Sequence, residues 1–171
     1  MDEPIDLPGR IRYSTKLFPP YRFLPGRTPH PKRHRKGHSF GHPEPTAEAF
    51  QPDDWAGSET YLFAVDLFNF GYWWESHEQW ESLWHALGKD TEQGSFVRAL
   101  IQLAAAHVKR ETGFPAATLR LIDRALGRFQ SAPPHYMGID VAPLILAISE
   151  AFHGERPSPL CISLTMPKTP H

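Results

Sequence analysis

One cysteine, Cys161, stands in 171 residues, which excludes an internal disulfide and any Cys-rich zinc module. No apolar run approaches the roughly 18 residues that a membrane-spanning helix needs. The opening Met1-Asp2-Glu3-Pro4 lacks an apolar leader core, so the expected location is cytoplasmic. Gly-x-Ser-x-Gly, the phosphate-binding Walker loop and the dinucleotide fingerprint are all missing. Proline is absent from 53 to 114, although ten of the 18 prolines lie in residues 1–52. Acidic residues are absent from Leu7 to Pro43, a stretch with nine Lys and Arg. These two gaps divide the chain. Residues 1–52 carry net +4 and the remainder net −5, giving the overall −1.

A Pro-rich, basic stretch builds neither a helix nor a central strand. Residues 1–52 therefore read as an extended arm. It holds Ile11, Tyr13, Phe18, Tyr21, Phe23 and Leu24, more apolar surface than a solvated tail carries, so part of it is expected to dock. From residue 53 to 165 the pattern is helical, and 166–171 form a short tail. Asp53 or Asp54 is the expected cap of a first helix ending near Asn69 and Gly71. A second runs from Tyr72 to Leu87 and stops at Gly88. Thr91 caps a third, which ends at Gly113, Pro115 opens a fourth, and Asp140 caps a fifth. Five helices without alternating strands predict a single all-α bundle.

The informative segment lies on the second helix. At about 100° per residue, Trp73, Trp80, Trp84 and Leu87 share one stripe, with His77 and Glu81 inside it. Glu75, Ser76, Gln79 and Ser82 fall on the opposite side, and Glu78 on the flank. A carboxylate pointing where tryptophans point must pair, be neutralised or bind something. The spacing Asn69-x-Gly71-x-x-x-Glu75-x-His77-Glu78-x-x-Glu81-x-x-Trp84, followed by Leu100-Ile101-Gln102-Leu103-Ala104, Gly113 and Ala116-Ala117, resembles the domain-of-unknown-function 309 family. The resemblance covers about residues 55–165 and extends to Pro159 and Leu164. In the arm, Pro25-Gly26, His30-Pro31 and Gly37-His38-Ser39 are similar to an arm of some longer family members. The resemblance implies a small multihelical bundle and no established reaction.

Two readings of His77 and Glu81 stand side by side. In the first they form a buried polar pair in a non-catalytic interaction or structural module, and Gln102 of the third helix bonds Glu81. Five tryptophans exceed what so small a core needs, which favours a protein partner or self-association. In the second, His77 and Glu81 ligate a divalent metal such as zinc, and Glu78 is the general base of a hydrolase-like enzyme. A third ligand would come from Gln102, His107 or an arm histidine. The zincin motif is excluded because residue 81 is Glu.

Other features weigh less. His30, His34, His38 and His42 recur every four residues, but Pro29, Pro31, Gly37 and Pro43 forbid a helix, so the repeat defines no face. Lys32, Arg33, Arg35 and Lys36 offer a nucleic-acid reading without any module signature. Their simplest role is contact with the acidic domain. Glu150 and His153 supply one Glu-x-x-His where a di-iron bundle needs two. Arg98, Gln102 and Lys109 edge the third helix, and Cys161 reads as a small buried hydrophobe.

Overall fold

In the computed structural model the described residues are 10–154 and 160–167. Pro159 and residues 168–171 lie outside them. The described residues form a helical bundle with one very small sheet. A 3-10 turn, Pro52–Gly57, leads into α1 (Glu59–Asn69), α2 (Trp73–Leu87), α3 (Glu92–Glu111) and α4 (Pro115–Gln130). Two short strands, β1 (His135–Tyr136) and β2 (Ile139–Asp140), precede α5 (Val141–His153). The helices pack in sequence, α1 on α2, α2 on α3, α3 on α4 and α4 on α5, as short connections require.

Most helix signals act where the sequence places them, but Asp140, at the N-cap position of α5, makes no side-chain cap bond and meets His135 Nδ1 at 2.7 Å instead. Thr91 accepts a bond from Gly94 N–H, Pro115 takes the first turn of α4, and Gly88 leaves α2 at φ 93°. The cap of α1 is not Asp53 or Asp54. These fall in the 3-10 turn that Pro52 starts, and Ser58 accepts from Tyr61 N–H instead. The hairpin had no sequence expectation. Met137 (φ 47°) and Gly138 (φ 77°) form its two-residue turn, both left-handed as such tight turns demand. Gly138 is also required by space, because a Cβ there would lie 2.4 Å from the Trp55 ring.

The core is one large cluster, with a smaller one of Phe63, Leu67 and Tyr72. Trp80, Leu83, Phe96, Leu100 and Phe129 are fully buried in the larger, each contributing roughly 1.5–3 kcal/mol by burial. Segments on both sides of the bundle, residues 12–14 and 160–164, are attached to α1. Asn69 Nδ2 donates to Ile162 O and Ile162 N–H donates to Asn69 Oδ1, each at 2.8 Å. Leu160, Ile162 and Leu164 alternate inward, and Cys161 between them is exposed, which corrects its reading as a buried hydrophobe. On the N-terminal side, fully buried Asp66 accepts from Arg12 Nε (2.9 Å), Tyr13 N–H (2.8 Å) and Ser14 N–H (2.8 Å). Further along, Tyr72 donates to Pro19 O, Phe18 stacks on Tyr72, and Leu24 is buried.

Candidate metal centre

The position of α2 between α1 and α3 explains its polar residues. One side packs on α3 through Trp80 and Leu83, and its start places Trp73 flat on His107 of α3, ring centroids 4.5 Å apart. The opposite side is also covered. Ser76 Oγ donates to Ala64 O of α1 at 2.8 Å. Glu75 is buried beneath residues 21–39, accepting from Phe23 N–H at 2.7 Å and meeting His38 Nε2 at 3.0 Å. Glu75 and Ser76 were expected on the far side. They are buried because the preceding chain and α1 close over that face, an arrangement no single-helix period encodes.

His77, Glu78 and Glu81 lie on the edge left open. One ligating atom from each falls within 4.8 Å of the others. His77 Nδ1 lies 3.7 Å from Glu78 Oε1, and His77 Nε2 lies 3.8 Å from Glu81 Oε1. Both separations exceed a hydrogen bond. The side chains are 25%, 17% and 41% exposed. The expectation of a buried His77–Glu81 pair is thereby corrected: Glu81 is at the rim. The expected bond from Gln102 is absent as well. Gln102 is buried, its Oε1 has no partner, and no hydrogen bond joins it to Glu81.

Lys32 bonds both Glu78 and Glu44. Burial alone would raise the Glu78 carboxyl, but His77 and Lys32 outweigh it and hold it below its ordinary value. Burial would likewise lower Lys32, and its two carboxylates raise it instead. A cavity of about 230 Å³ opens beside it, lined by Lys32, His38, Trp74, Glu75 and Glu78.

The remaining candidates disperse. His30 packs against Phe23 and Trp74, and burial followed by Arg33 lowers its imidazole. His107 is buried among Phe68, Trp73 and Phe152, with Arg110 bonding its Nδ1 at 3.2 Å. Trp84 lies under Lys89 and Arg98. His153 is exposed at the end of α5. Asp66 was missed by sequence reasoning. Its one signal is an acidic residue among the apolar run Leu62–Phe68.

The fold and site define a small helical module whose flanking segments are bonded to buried polar side chains of α1 and α2. Residues 61–121 match the model of a family described as Domain of unknown function (DUF309). That segment runs from Tyr61 of α1 through α2 and α3 into α4, and contains His77, Glu78, Glu81, Trp84 and Gln102. The resemblance to this uncharacterised family therefore holds for the bundle's first helices. No curated protein matches the chain. No described helix is long and apolar enough to cross a membrane.

Proposed function

We propose that this protein is a non-catalytic helical module that holds a divalent metal ion, such as zinc, through His77, Glu78 and Glu81. The observation that carries the reading is the convergence of three ligating atoms within 4.8 Å on a half-exposed edge, at separations too long for hydrogen bonds. One imidazole and two carboxylates form a donor set suited to zinc or a neighbouring divalent transition metal. A cation would satisfy Glu81 and the imidazole and would share Glu78 with Lys32. His77 Nδ1 is buried without a hydrogen-bond partner. The module's role is to present a surface to a protein partner or a second copy, with the ion rigidifying the outer edge of α2.

The test is elemental analysis of the tag-free full chain, purified without chelator and desalted after exposure to zinc. The expected result is close to one ion per chain, lost in His77→Ala and retained in a variant with His30, His34 and His42 all changed to Ala. No metal in the wild type, or loss only in the triple variant, overturns the reading.

A further inference from the structure

The bundle as a whole is acidic, yet one stretch of it is not. Residues 93–130, which span most of α3 and all of α4, hold six basic residues against two acidic ones, Glu111 and Asp123. Two cations sit on Trp84, and two more lie on α4, which packs on α3. Lys89 Nζ lies 4.7 Å from the Trp84 ring centroid and the Arg98 guanidinium 5.3 Å from it. Arg128 donates to Ser95 Oγ at 3.2 Å, one turn before Arg98 on α3, and Arg124 is one turn before Arg128 on α4. Among the described residues no carboxylate lies within 4.0 Å of any of these four. The Arg128 Nε is buried with no hydrogen-bond partner. By contrast, Arg12, Lys16, Arg22 and Lys32, all N-terminal to the bundle, are each matched by a carboxylate.

Like charges gathered without counter-charges repel one another, and an anion relieves that repulsion. The cations follow the order of the packed helices: Lys89 and Trp84 at the end of α2, Arg98 on α3 against Trp84, then Arg128 and Arg124 on α4. Cations in that order, with an indole among them, match an extended polyanion that also has rings to stack. We propose that Lys89, Trp84, Arg98, Arg128 and Arg124 form a track for the phosphate backbone of a single-stranded nucleic acid, with Trp84 as the stacking platform. The track shares no residue with the metal centre and does not depend on it.

The experiment is fluorescence anisotropy of the full chain with a labelled 15-nucleotide RNA of mixed sequence. Four cation–phosphate contacts on a single strand give a salt slope of about −3, so affinity falls roughly fifty-fold between 50 and 200 mM KCl. Arg98→Ala/Arg124→Ala, both at exposed positions, weakens binding at least about tenfold at 50 mM and lowers the slope by about 1.4. Trp84→Leu weakens RNA binding roughly tenfold through lost stacking and leaves competition by inorganic polyphosphate unchanged. Circular dichroism confirms that each variant is helical. Should Trp84→Leu lose helicity, Trp84→Phe replaces it and keeps a smaller ring, with a smaller loss expected. The proposal is overturned by affinity unchanged within twofold in the arginine double variant, or by no saturable RNA binding. Loss of binding only in Arg33→Ala/Arg35→Ala/Lys36→Ala also overturns it. Equal RNA binding by wild type and a folded Trp84 variant would overturn the assignment to nucleic acid.

Discussion

Asn69 and Ile162 are joined by two hydrogen bonds of 2.8 Å across 93 residues of sequence. The side-chain amide of Asn69 acts as one rung of a sheet, donating to the carbonyl and accepting from the N–H of a buried residue. A backbone pair in that position must be satisfied, because no water reaches it. Asn69→Ala leaves both groups of Ile162 unpaired and is expected to cost about 2–4 kcal/mol. Urea unfolding measures it. Asn69→Asp should cost a similar amount, since its second oxygen faces the Ile162 carbonyl.

Asp66 does for residues 12–14 what Asn69 does for 160–164. It accepts three bonds from Arg12, Tyr13 and Ser14 while fully buried. Asp66→Ala leaves two backbone N–H groups without their acceptor and is expected to cost about 3 kcal/mol. Limited proteolysis separates local from global loss. Cleavage near residues 12–16 should accelerate before any cleavage within α2 or α3.

His107 makes the stability of the bundle depend on pH. Burial is the larger cause that depresses its imidazole well below the ordinary value, and Arg110 and Arg10 add to it. Arg110 can only donate, so Nδ1 must accept, which requires the neutral ring. In the unfolded chain His107 titrates near its ordinary 6.5. The unfolded state therefore binds the extra proton first as pH falls. The contribution of neutral His107 is complete above about pH 7 and declines as pH drops below 6.5 toward the depressed folded value. His107→Phe should flatten the difference in unfolding free energy between pH 7.5 and pH 5.5. An equal pH dependence in both proteins would contradict this account.

Much of the fold is legible because its signals are local. Thr91, Pro115, Gly88 and Gly113 act within one turn of themselves, and the bundle follows from them. The failures share a different cause. Periodicity assigns α2 one buried face, but residues 21–39 cover Glu75 and α1 covers Ser76, through contacts spanning 52, 37 and 12 residues. The hairpin escaped notice because Met137-Gly138 takes the place of the usual Asn-Gly. The grouping of His77, Glu78 and Glu81 was readable, since i, i+1 and i+4 are helix neighbours. Their exposure was not, because it depends on where α3 ends its coverage of α2.

Lys32 bears on the proposed metal centre from outside α2. Its ammonium bonds Glu78 and would sit beside the bound cation. Lys32→Met removes that repulsion and should tighten zinc binding on the order of tenfold. Competition with a chromophoric chelator measures the change, and Arg33→Met serves as the control with no expected effect.

The most direct test is crystallographic. Crystals grown with zinc and measured at its absorption edge should show one anomalous peak about 2.0–2.2 Å from a ring nitrogen of His77 and from carboxylate oxygens of Glu78 and Glu81. A strong peak on His30, His34 or His42 with none at His77, or no peak at all, would contradict the account.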